Sequence, residues 1–187
     1  LSVAPVEFKG CKINVLDTPG YFDFSGEVME ALRAADAAII VCSAKDGLTV
    51  GFEKAWKYCQ ERNMPCFIYI SKVDEDHSDY NATFNALREK YGNKVAPVVV
   101  PIWDASKKVT GIIDVLNKRS YEMKNLKRVE ITLSEEKLSV VDEFSFNLKE
   151  AVAETDEELM ERFFENEGED FTYAEMINGL YTGVREL

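Results

Sequence analysis

Up to about residue 102 the sequence alternates short apolar runs with amphipathic stretches, and few folds can be built from that alternation. The runs "SVAPVEF" and "CKINVLD", joined at Lys9-Gly10, predict two strands around a tight turn. "FSGEVMEALRAAD" sets Val28, Leu32 and Ala35 at helical spacing, with Ser25 as the N-cap. "AAIIVCSA" is an unbroken apolar run that suits a strand buried on both faces. "VGFEKAWKYCQERN" predicts an amphipathic helix and "PCFIYIS" another buried strand. "SDYNATFNALREKYG" predicts a helix capped by Ser78 and closed by Gly92, and "VAPVVVPIW" a returning strand. The series predicts an α/β fold, a mostly parallel sheet with helices on both faces.

Beyond residue 102 the rhythm changes. "TGIIDVLNKRSYEM" and "KRVEITL" predict a strand pair, and helices alone follow. From Ser134 to Ala153, Leu138, Val141, Phe144, Leu148 and Val152 share one helical face. Thr155-x-x-Glu158 and Thr172-x-x-Glu175 read as capping boxes opening two further helices. Residues 1–102 are therefore expected to form an α/β part, and 103–187 a separate α+β part that is helical and acidic from about 134. Phe163, Phe164 and Phe171 are assigned to the core of that helical part rather than to a base-stacking platform.

Charge separates the same two parts. Of the net −12, the stretch from Ser134 to Asp170 carries −11, with 14 acids against Lys137, Lys149 and Arg162. Such a segment repels nucleic acid and suits a basic protein partner. With 46% apolar and 30% charged residues the composition is that of a globular domain, and no apolar run approaches the ~18 residues that span a bilayer. The four cysteines, Cys11, Cys42, Cys59 and Cys66, show no C-x-x-C spacing and read as reduced thiols, which points to the cytoplasm. His77 is the only histidine, which argues against a histidine zinc site or a Ser/His triad, and it reads as a solvated loop residue. The sequence begins at Leu1 rather than Met, as a piece of a longer protein would.

In α/β sheets ligands bind beyond the carboxyl ends of strands. Two polar motifs fall there, Asp17-Thr18-Pro19-Gly20 and Ser71-Lys72-Val73-Asp74. Asp-x-x-Gly is a weak signal alone and recurs at Asp23 to Gly26, so the placement at strand ends is what strengthens it. Asp17 would reach Mg²⁺ through a coordinated water, since Mg²⁺ keeps several waters. Gly20 would offer its N–H to a terminal phosphate, where a side chain would block approach. Asp74 would accept from a guanine's N1–H and 2-amino group while Lys72 lays its stem along the base. The plain alternative is two ordinary polar loops.

The run "KINVLDTPGYFDFSGEVMEALRAADAAIIVCSAKDG", followed by "CFIYISKVDED", resembles the GTPase domain of bacterial elongation factor G. "PIWDASKKVTGIIDVL" and "LKEAVAETDEELMERFFENE" resemble the subdomain this family inserts before its last guanine-contacting loop. Tetracycline-resistance proteins and release factor three share the first motif and match the insertion less well. The resemblance covers nearly the whole chain. It implies a P-loop GTPase-type sheet, GTP or GDP with Mg²⁺ as ligands of the full-length protein, and GTP hydrolysis on the ribosome. It also implies that Asp17, Thr18, Pro19 and Gly20 sense the phosphate, with Asp17 on Mg²⁺ through water, and that Ser71, Lys72 and Asp74 read the base. The acidic helices over 134–164 would meet the ribosomal stalk protein.

The departures from the family's pattern are specific. No Gly-Lys pair occurs, so the phosphate loop is not found, nor are the first-switch threonine and the final Ser-Ala loop after the insertion. A partial GTPase domain that binds no nucleotide by itself is the expectation. Ser43-Ala44-Lys45 has similar letters at the wrong place in the order. The strand leading into the phosphate loop would lie between "CKINVLD" and "AAIIVCSA". That gap is expected to be closed by direct pairing, a rearranged segment or another molecule. Ser71 stands where the family has Asn, and Tyr21 where it has a catalytic His. Tyr21 either orients water through its hydroxyl or packs against Phe22 or Phe24. Two functions stay open: a translational GTPase, and a ribosome- or stalk-binding module with weak or no GTP hydrolysis.

Overall fold

The computed structural model of the chain describes residues 1–185 other than 105, 107, 125, 126 and 134. It opens with an antiparallel hairpin of β1 (Ser2–Phe8) and β2 (Cys11–Asp17), in register from Ser2↔Asp17 to Phe8↔Cys11. Lys9 and Gly10 make the two-residue turn with φ of 48° and 78°, the positive pair that matches the twist of the strands. A 3₁₀ turn over Phe22–Phe24 then runs into α1 (Ser25–Ala34). Phe24, not Ser25, is the N-cap, because the turn bond from Phe24 N–H to the Tyr21 carbonyl (3.1 Å) delivers the chain straight into the helix. Val28, Leu32 and Ala35 are half-buried as expected.

β3 (Ala38–Ser43), α2 (Val50–Glu61) and β4 (Cys66–Ser71) form a parallel crossover, with Ala38 opposite Cys66 and Ser43 opposite Ser71. Ile40, Cys42 and Cys66 point into the core, where they join Phe52, Trp56 and Cys59 of α2. The opposite face is bare: Ile39 is 70% exposed, and Val41, Phe67 and Tyr69 are exposed beside it. Within these residues the two apolar runs are covered on one face only, where burial on both faces was expected. Among the described residues no strand stands between β2 and β3, and the two do not pair. Neither direct pairing nor a rearranged segment closes the expected gap. Unpaired backbone is costly only when water is excluded, and the residues of β2 are exposed apart from the half-buried Leu16.

α3 (Tyr80–Tyr91) is capped by Asp79, whose side chain accepts from Ala82 N–H at 2.9 Å. Ser78, the expected cap, donates its hydroxyl to the Val73 carbonyl at 3.1 Å instead. Gly92 closes the helix at φ 72°, as predicted. β5 (Val99–Trp103) does not extend the parallel pair. It starts an antiparallel meander with β6 (Val109–Asp114), β7 (Arg119–Lys124) and β8 (Lys127–Ile131), one strand more than the expected pair beyond 102. The expected boundary at 102 falls inside β5. Gly111 makes the β6–β7 approach possible, since a Cβ there would lie 2.2 Å from the Tyr121 carbonyl oxygen.

Three helices complete the chain: α4 (Glu135–Ala153), α5 (Glu157–Asn166) and α6 (Tyr173–Arg185). The expected start of α4 at residue 134, and the side chain of Leu138, lie outside the described residues. Val141, Phe144, Leu148 and Val152 are buried on one face, as their spacing predicts. Val141, Phe144 and Leu148 belong to the same core as Phe84 and Leu87 of α3. Arg88 reinforces the seam by donating from Nη2 to Glu150 and to Asn93, each at 2.8 Å, and Asn93 donates on to Glu154 at 2.8 Å. α5 is capped by Asp156 rather than Thr155, whose hydroxyl turns back to the Val152 carbonyl. Phe163 is buried and Phe171 half-buried, but Phe164 is 81% exposed and does not belong to the core. The buried stripe of α5 runs through Leu159 and Phe163, and the next residue is turned about 100° away from it.

The second capping box forms as predicted. Glu175 accepts from the Thr172 N–H (2.7 Å) and hydroxyl (2.8 Å), and Arg162 donates to it at 2.7 Å. Arg162, foremost, and Thr172 hold the Glu175 carboxyl at about 2, below its ordinary 4.5. A depressed pKa stabilises the fold above the unfolded value, and that stabilisation is lost as pH falls through the folded value. The tie between α5 and α6 should therefore loosen between pH 4.5 and about 2. An NMR titration should show the Thr172 backbone N–H, which donates to Glu175, exchanging faster across that window, and Glu175→Gln should remove the transition. A signal unmoved in the parent protein would show that Glu175 does not secure this joint.

Candidate nucleotide site

Both polar motifs sit where their strands stop. Asp17 is the last residue of β2, with Thr18 and Pro19 half-buried and Gly20 and Tyr21 exposed. Tyr21 is 79% exposed, so its ring is not packed into the core. The side chain of Phe22, one of its two expected neighbours, lies outside the described residues. The Asp17 carboxylate is exposed and takes part in no hydrogen bond among the described residues.

The second motif is tied down more firmly. Because β3 and β4 end in step, Ser43 and Ser71 stand side by side at the carboxyl edge. The Ala44 N–H donates to the Ser71 carbonyl (2.9 Å), and the Ser71 hydroxyl donates to the Cys42 carbonyl (3.4 Å). Lys72 then takes a left-handed φ of 56°, uncommon for a residue with a side chain. The turn leaves Lys72 and Asp74 exposed, while Val73 between them packs against the core. Its continuation is also held: the Ala44 carbonyl accepts from the Asp79 N–H at 2.9 Å, and Lys45 pairs with Glu75 at 3.2 Å.

Ser43-Ala44-Lys45, a chance likeness by its place in the sequence, thus buttresses the loop of Ser71, Lys72 and Asp74. The sequence held no local signal for this contact, which follows from the parallel register that ends β3 and β4 side by side. The structure brings Ser71, Lys72 and Asp74 together on one loop. No hydrogen bond or ion pair among the described residues joins that loop to Asp17, Thr18, Pro19, Gly20 or Tyr21. His77 is exposed in the loop that follows, as expected, with φ 66°.

Residues 1–180 match the family of the elongation factor Tu GTP-binding domain. The chain belongs to that family. Relatives of this GTP-binding domain include an "Elongation factor G-like protein" of Thermotoga maritima, 30% identical over 184 residues, covering 98% of this chain and 26% of the relative. A protein of the same description from Mycobacterium tuberculosis is 35% identical over 169 residues, covering 89% and 23%. A crystal structure of a Thermus thermophilus protein superposes with a TM-score of 0.87 at 35% identity, over 98% of this chain and 27% of that one. The resemblance to elongation factor G and the α/β fold class are therefore shown. The chain spans about a quarter of the length of the relatives it matches.

In this GTP-binding domain the cap of α3 serves as the far anchor of the Ser71–Asp74 loop. Asp79→Ala should cost about 1 kcal/mol of stability, the usual value of an N-cap side chain. In urea denaturation with hydrogen exchange, the midpoint should fall and the Glu75, Ser78 and Ala82 amides should exchange faster. An unchanged midpoint would show that the Asp79 side chain is no anchor and that the Ala44, Lys45–Glu75 and Ser78–Val73 contacts hold the loop without it.

Proposed function

We propose that this chain is the guanine-nucleotide-sensing part of an elongation-factor-G-like translational GTPase that acts on the ribosome in the cytoplasm. The reading is carried by one observation: within a family of GTP-binding domains, both polar motifs stand at the carboxyl ends of strands. In the full-length protein, Gly20 offers its backbone N–H to the terminal phosphate, with Thr18 and Pro19 shaping the turn. Asp74 accepts from the guanine edge, Lys72 lies along the base, and Ser71 fixes the start of that loop. The exposed Asp17 carboxylate suits a water-mediated contact to Mg²⁺, which would neutralise phosphate charge. Among the described residues no three His, Cys, Asp or Glu side chains gather to hold a metal by themselves. The acidic helices α4 and α5 are the docking face for the ribosomal stalk, through charge rather than nucleic-acid contact. Among the described residues no helix is long and apolar enough to cross a membrane, and none of these roles needs one.

The 187 residues alone contain no Gly-Lys pair, the signature of a loop that supplies most charge-matched donors to the β- and γ-phosphates. Isothermal titration of this chain with GTP and Mg²⁺ should give no affinity in the micromolar range. Micromolar binding would show that the two loops described above suffice by themselves.

Tyr21 and Ser71 favour a second reading, a ribosome- or stalk-binding module with slow or no hydrolysis. In the position where the resemblance places a catalytic histidine, a phenol can orient water, but near neutral pH it takes up no proton to become a cation. Electrostatic stabilisation is often the larger share of catalysis, so the native tyrosine should slow the chemical step. The exposed ring leaves Tyr21→His structurally tolerable. In single-turnover GTP hydrolysis by the full-length protein with ribosomes, Tyr21→His should raise the rate at least about tenfold with little change in GTP affinity. No ribosome-stimulated hydrolysis by either protein would favour the binding module. An equal, fast rate in both would show that Tyr21 does not retard the reaction.

A further inference from the structure

Among the described residues Phe164 is the most exposed of the large apolar side chains, at 81%, yet it stands on a packed base. Its ring lies 6.4 Å from that of Phe163, nearly edge to face, and Phe163 is buried 5.3 Å from Phe146 of α4. Helical spacing puts Met160, Glu157 and Glu161 beside Phe164 on the same side of α5. Both glutamates are exposed, and Met160 is half-buried at the edge of a groove that Ala153, Glu154 and Asp156 also line. The only cation in α5, Arg162, is drawn to the other side by Asp170 (3.1 Å) and Glu175 (2.7 Å). What remains is an apolar centre of Phe164 and Met160 with an acidic border.

An exposed aromatic ring on an ordered support, ringed by charge of one sign, has the make-up of a binding hot spot. The charge selects the partner: a domain with Lys and Arg around an apolar cleft is attracted, whereas an acidic domain or a nucleic acid is repelled. We propose that Phe164 is the apolar anchor of this face and inserts into such a cleft of a basic protein domain. The proposal rests on the reading of α4 and α5 as a docking face and adds a contact that salt does not screen. The glutamates set the rate of encounter and its salt dependence, and Phe164 sets how long the complex lasts.

The test is a titration of the ¹⁵N-labelled C-terminal domain of the ribosomal stalk protein with the 187-residue chain at low and high salt. Phe164→Ala should weaken binding about tenfold at both salts and leave the salt dependence unchanged, whereas Phe164→Leu should keep most of the affinity. Glu157→Gln with Glu161→Gln should flatten the salt dependence instead. Because Phe164 is exposed, its variants should melt with the parent protein. Salt-sensitive binding that Phe164→Ala leaves intact would overturn the anchor and keep the acidic face. No binding by the parent chain at low salt would overturn both.

Discussion

The edge-to-face contact between Phe84 of α3 and Phe144 of α4, 5.5 Å between ring centres, makes one body of two stretches that the sequence presents as separate. Tyr80 stacks on Phe84 and also meets Trp103 of β5 and Phe144, so four rings from three elements close on one another. Such pairs contribute about 0.5–1.5 kcal/mol each beyond the apolar area they bury. Burial pushes the Tyr80 hydroxyl well above the usual phenol range, which keeps it neutral inside this cluster. The Arg88, Asn93, Glu150 and Glu154 bonds run along the rim of the same seam. α3 begins at Tyr80, shortly after Asp74, so the aromatic cluster is also what fixes the exit of the proposed base-reading loop.

Three strands follow β5 where a pair was expected, yet most helices and strands were legible because apolar spacing is local. Helix α4 shows it: Val141, Phe144, Leu148 and Val152 were assigned to one face and are buried there. The N-caps were missed by one residue three times, at Phe24, Asp79 and Asp156. At two of them the serine or threonine hydroxyl before the cap donates to a carbonyl upstream instead, from Ser78 to Val73 and from Thr155 to Val152. A hydroxyl can donate as well as accept, and the choice depends on which carbonyl the fold brings near. An unbroken apolar run likewise states only that a strand can be buried on both faces. Ile39 and Val41 alternate with buried Ile40 and Cys42, so the pleat assigned the faces and only tertiary packing decided which was covered.

Sheet membership was the least legible feature, for a similar reason. Strand β5 follows a helix, as a parallel strand would, yet pairs with β6 because the short connection after it allows an antiparallel return. The site was better served. The residues of each motif are adjacent in sequence, so their grouping at strand ends follows from the strands themselves. The support that Ala44 and Lys45 give to the loop from Ser71 to Glu75 is another matter. It reaches across the chain only through the parallel register of β3 and β4, which no local pattern encodes.

At positions 21 and 71, where the resemblance places a His and an Asn, the backbone rather than the side chain carries the architecture. Ser71 has one hydroxyl proton, which it gives to the Cys42 carbonyl at 3.4 Å, a long bond. The loop is set chiefly by the Ala44 N–H on the Ser71 carbonyl and by the Asp79 N–H on the Ala44 carbonyl, both at 2.9 Å. Those bonds would survive any side chain of similar size at position 71. At position 21 the 3₁₀ turn is likewise closed by the Tyr21 carbonyl, and the exposed ring takes no part in it. A scaffold held in this way lets the chemistry at both positions change while the loops keep their places. The identity of residues 21 and 71 therefore bears little on whether the loops form, which leaves both positions open to the chemistry that the proposed nucleotide site requires.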